Sequence, residues 1–97
     1  MEQEKSETKR LAEMDTAIEI MAARIAMCMH RIIAEENKPE SEQNSQLLQR
    51  LNKEMQILYA ERERMYCGDA KIQNKILNQY SKEVTDYMLG KNKNDSR

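Results

Sequence analysis

Ninety-seven residues, sixteen of them basic and seventeen acidic for a net charge of −1, allow one domain with one small hydrophobic core. The two signs are interspersed along the whole chain. That withholds the basic field on which non-specific nucleic-acid binding depends, and argues against nucleic acid as a partner. Only two Gly and one Pro, no Phe or Trp, and no β-branched run long enough for a strand set the fold class as all-α.

Residues 1–8 carry no apolar periodicity and are expected to be disordered, with Ser6 or Thr8 available as a helix cap. From there Leu11, Met14, Ile18, Met21, Ile25, Cys28 and Ile32 recur at alternating steps of three and four, the a/d seam of a coiled coil. This predicts a first helix over residues 9–35. Ala22, Met29 and Ile33 widen one edge of the seam, while Ile20 and Met27 lie far round the helix from them. A helix apolar on two sides is buried on two sides, and in so short a chain a second copy of the protein is expected to cover the Ile20 and Met27 side, giving a homodimer with coiled-coil-like packing.

Asn37 and Pro39 end the first helix within the polar connection ENKPESEQN. A second helix is expected over residues 44–66, capped by Asn44 or Ser45, with Leu47, Leu48, Leu51, Met55, Leu58, Tyr59, Met65 and Tyr66 on one arc. Gly68 suits the C-terminal cap of that helix, and Asp69 suits the N-cap of a third over residues 70–89. The third stripe is Ile72, Ile76, Leu77, Tyr80, Val84, Tyr87 and Met88, with Gly90 as its stop and residues 91–97 as a disordered tail. Residues 9–90 thus form a single domain, either a three-helix bundle or a long helix with a helical hairpin. Eight methionines make its core adaptable and its surfaces suited to partners.

Cys28 and Cys67, with no apolar leader at the N-terminus, are expected to be free thiols in a cytoplasmic protein, and no stretch is apolar enough to cross a membrane. Metal binding does not fit, because Cys28 and His30 point about 200° apart on a helix. The single histidine, His30, has no seam position that would bring it to either thiol or to Ser81, and no Gly-rich loop offers a phosphate site. Neither a cofactor nor enzyme chemistry is therefore expected. Glu35 and Glu36 read as solvated surface. Arg62 stands out, since an arginine within an apolar arc must reach water or find an acid, for which Asp15 and Glu83 are the candidates within the chain and another protein's carboxylate or phosphate the candidate outside it.

The run Ile76-Leu77-Asn78-Gln79-Tyr80-Ser81-Lys82-Glu83-Val84-Thr85-Asp86-Tyr87-Met88, within residues 51–88, resembles the second helix of the small aspartyl-phosphate phosphatases of the sporulation phosphorelay. In that family an antiparallel helical hairpin carries a Ser-Gln-Glu-Leu-Asp signature that dephosphorylates a response regulator, the Asp being essential. Ser81 and Glu83 match the signature, Lys82 stands for its Gln, Val84 for its Leu and Thr85 for its Asp. A threonine cannot orient an attacking water as a carboxylate does. The resemblance therefore implies a protein that binds a receiver domain without dephosphorylating it.

The residues themselves favour a small helical interaction module, a regulator, adaptor or chaperone docking helix on helix with another protein. Its expected contact residues are Arg62, Ile20, Met27 and Ser81.

Overall fold

The computed structural model describes the backbone of residues 2–95 and the side chains of residues 7–90. It is all-α, with no strand among the described residues. Helix α1 spans Glu2–Glu36 and α2 spans Ser45–Tyr66. A third helix, α3, covers residues 70–95 in three pieces: α-helical Ala70–Lys75, a π-helical turn Ile76–Tyr80, and α-helical Ser81–Asp95. The ends expected to be disordered, residues 1–8 and 91–97, fall largely outside the described side chains. The described backbone carries α1 from Glu2 and α3 to Asp95.

Each boundary has a local cause. No Gly or Pro interrupts the chain before Pro39, which disfavours helical backbone at Lys38. The connection then makes one short 3₁₀ turn, Glu40–Glu42. Asn44 caps α2, its side-chain oxygen accepting from the Leu47 N–H at 3.0 Å. At the far end Gly68 adopts φ +87°, and the Asp69 N–H reaches the Arg64 carbonyl while the Gly68 N–H reaches that of Met65, each at 3.0 Å. These two bonds make the Schellman closure that ends α2. Asp69 then starts α3, accepting from the N–H groups of Lys71 and Ile72 at 3.0 and 3.2 Å.

The three helices run up, down and up. The antiparallel register of α1 and α2 is marked by Cys28, whose thiol donates to the Leu51 carbonyl at 3.4 Å, and by the Arg24 to Glu54 ion pair. α3 runs parallel to α1, with Gln73 against Met14, Glu83 against Arg24 and Tyr87 under the Arg31 guanidinium. The core is Ala17, Met21, Ile25 and Cys28 from α1, Leu51, Met55, Leu58 and Met65 from α2, and Ile72, Ile76 and Tyr80 from α3. Most of the expected seam is therefore inside. Leu11 is the exception at 69% exposed, and Met88 of the third stripe is also exposed.

Met27 is buried within the chain itself and Ile20 packs half-buried on the core. Ile20, Arg24, Met27 and Arg31 follow one another at steps of four, three and four, so they share the side of α1 against which Glu83 and Tyr87 place α3. The second apolar side of α1 is thus met by the protein's own third helix, and a second copy is not needed there.

Candidate functional site

Two features depart from an ordinary helical core. The first is a polar layer among the three helices. Arg24 is 6% exposed, and it donates to Glu54 and, at 3.4 Å, to Glu83. Its guanidinium also lies 5.4 Å from the Tyr80 ring centre. The Lys75 ammonium also sits 5.1 Å from the centre of that ring and donates to Glu61 at 2.5 Å, while the Tyr80 hydroxyl donates to the second Glu61 oxygen.

The π-helical turn produces this layer. One extra residue in a turn rotates all that follows by about 100° relative to a continuous α-helix. That phase lets Tyr80 point inward to Glu61 while Glu83, beyond the turn, faces Arg24. Burial pushes the Tyr80 hydroxyl above its usual range and Glu61 adds to the shift. Lys75 is raised chiefly by its hydrogen bond to Glu61. For Arg24, burial works against the cation and the two carboxylates overcome it, leaving its pKa raised. Every charge in the layer is engaged with a neighbour. The layer holds the helices in register and offers no group poised for proton transfer or attack.

The second feature is the outer face of the α1/α2 pair, on the side away from α3. On α1 it carries Ala22, Met29 and Ile33, all exposed, with Ile18 and Ala26 half-buried, and at its N-terminal end the exposed Leu11, which also borders the crevice lined by Gly68, Ala70 and Gln73. On α2 the steps 48, 55, 59, 62 and 66 place Leu48, Met55, Tyr59, Arg62 and Tyr66 along the same groove, where Tyr66 is 56% exposed. α3 meets α2 through Glu61, on the opposite side, and leaves this face uncovered. The body measures 62 × 32 × 15 Å, flat enough for a broad face to lie on one side of it.

Arg62 sits within this face. It pairs with neither Asp15 nor Glu83: Glu83 goes to Arg24, and among the described residues no ion pair joins Arg62 to Asp15. Instead the guanidinium lies 5.0 Å from the Tyr59 ring centre, and its Nε is buried without a hydrogen-bond partner. A cation held over an aromatic ring, with its Nε buried in an apolar groove, is oriented before any partner arrives.

Of the four residues expected to meet a partner, Arg62 alone lies on the open face. Ile20 and Met27 face α3, and Ser81 is half-buried at the end of the π-helical turn. Lys82 and Thr85 are exposed, while Glu83, which matches the phosphatase signature, is committed to Arg24. His30 and Cys67 are exposed and Cys28 is buried, its thiol raised by that burial. Among the described residues no three His, Cys, Asp or Glu side chains are grouped to hold a metal, and no helix is long and apolar enough to cross a membrane. Glu35 is not solvated surface. It is 4% exposed, accepts from the Asn44 N–H at 2.8 Å and pairs with Lys38 at 3.0 Å, tying the connection to the end of α1.

The chain matches no family model, no curated protein and no solved structure.

Proposed function

We propose that this protein is a small helical interaction module, a regulator or adaptor that works by docking a helix of another chain across the open face of α1 and α2. The observation that carries this reading is the apolar strip on that face, from Leu11 to Ile33 on α1, interrupted at Asp15, and from Leu48 to Tyr66 on α2, with Arg62 in its groove. Two antiparallel helices that leave an apolar groove uncovered are half of a four-helix arrangement, and a third and fourth helix complete such a core by ridge-into-groove packing. Scattered apolar residues are ordinary on a surface, but a strip along a helix pair marks a contact surface. Arg62 then fixes the orientation of what docks, since a guanidinium already held over Tyr59 loses little freedom on meeting a carboxylate or a carbonyl.

A photo-crosslinking phenylalanine derivative placed at Tyr59 tests this in the intact protein. It should yield adducts with a second chain that Met29→Glu suppresses, whereas the same derivative at Ile57, exposed on another side of α2, should yield none. Adducts from Ile57 and not from Tyr59 would exclude the open face as the docking surface.

A further inference from the structure

We infer that the occupant of the open face is a second copy of this chain, related by a two-fold axis through Ala22, so that two α1/α2 pairs close into a four-helix core flanked by the two α3 helices. This rests on the reading that the face is a docking surface, and it goes beyond that reading by naming what docks.

The strip on α1 is close to self-complementary when reversed. An antiparallel copy crossing at Ala22 sets residue i against residue 44 − i. Leu11 then meets the partner's Ile33, Ile18 meets the partner's Ala26, and Ala22 meets its own copy. Bulky side chains thus lie at the ends and in the flanks, where helices diverge, and alanines lie at the crossing, where they must come close. Asp15, exposed, comes level with the partner's Met29, and His30, exposed and polar on the rim of the strip, with the partner's Met14. Both members of such an isologous contact use the same patch, as a two-fold requires.

Size and charge agree with this occupant. From Leu11 to Ile33 the strip is about 33 Å long at 1.5 Å per residue. With two helices about 10 Å apart across its width, a pair of such faces would bury roughly 1,200 Å², at the lower bound of stable protein–protein interfaces. The apolar strip carries one acid, Asp15, and one base, Arg62, in a chain of net charge −1, so copies are not held apart by repulsion. Ile57, Met88 and Leu89, off this face, are exposed but form no such reversible pattern.

Sedimentation of the full chain across a wide concentration range tests the inference. The wild type should be a dimer that dissociates on dilution. Ala22→Glu, at an exposed helical position, should keep the helical circular dichroism and weaken self-association about a hundredfold or more, because it sets two unpaired carboxylates against each other at the axis. Ile57→Glu should leave association unchanged. A chain that is monomeric at every concentration, or a dimer that Ala22→Glu does not weaken, would overturn the second copy as occupant. In a monomeric chain, binding of an apolar fluorescent dye that Met29→Glu abolishes would retain the face as a docking surface for another protein, and absence of dye binding would overturn both readings.

Discussion

Arg24 shows how one side chain sets the constraints on its surroundings. It is buried, engages carboxylates from both other helices and stacks on Tyr80, and one of its terminal nitrogens, Nη1, has no partner. Removing it would leave Glu54 and Glu83, both partly exposed, without their cation and open a void beside Tyr80. Arg24→Ala should therefore destabilise the fold by about 3 kcal/mol, and Arg24→Met, which refills the volume, by less. Urea unfolding followed by circular dichroism measures both, and equal losses would mean that charge pairing, with no part for packing, sets the cost. Glu35 acts on the connection instead. Chiefly the Asn44 N–H, and then Lys38, holds its carboxyl below the usual carboxylate range. A carboxyl lowered in the folded state contributes stability that is present above its unfolded value, about 4.3, and lost as pH falls through the folded value. Asp69, held low mainly by the Ile72 N–H and by Arg64, follows the same sign. Thermal unfolding should thus show stability declining on the acid side. Glu35→Gln should flatten that decline, and an unchanged acid limb would remove Glu35 from the account.

At the scale of elements, the helix ends were legible in the sequence because each is written in local chemistry. Asn44, Gly68 and Asp69 cap where such residues cap, and Pro39 stops what proline stops. Gly68 at φ +87° needs the freedom of glycine, so Gly68→Ala should cost about 1 kcal/mol although open space surrounds its Cα. Asn44→Ala should cost about as much by freeing the Leu47 N–H. Chemical denaturation of each variant checks both values, and a Gly68→Ala protein as stable as the parent would contradict the left-handed cap. The π-helical turn was not legible. Its residues, Ile-Leu-Asn-Gln-Tyr, are compatible with a continuous α-helix, and what selects the wider turn is tertiary: Tyr80 reaching Glu61 and Glu83 reaching Arg24 from one helix. The same gap explains Arg24 and Glu61. A charged residue in a helical pattern reads as surface until the partner helix that brings its counter-charge is placed.

For the whole molecule, the sequence pattern correctly marked α1 as apolar on two sides, but not which side the chain would cover itself. Periodicity along one helix cannot say which neighbour takes which edge. In the fold α3 lies along the Ile20 and Met27 side, and Ala22, Met29 and Ile33 face outward. The residues first marked as a self-contact are thereby internal, and those that merely widened the seam become the free surface. Arg62 keeps its prominence for a reason that the linear pattern did contain: a cation amid apolar residues, now over the Tyr59 ring and, among the described residues, in no ion pair.

The central claim is that the Ala22 edge of α1 meets its own copy, and the most direct test is where copies can be joined. In a Cys67→Ser background, with Cys28 shielded in the core, Ala22→Cys and Ile57→Cys would each be treated with a short bismaleimide and resolved by mass. The account predicts a covalent dimer from Ala22→Cys and monomer from Ile57→Cys. Monomer from Ala22→Cys, or dimers formed equally from both, would contradict it.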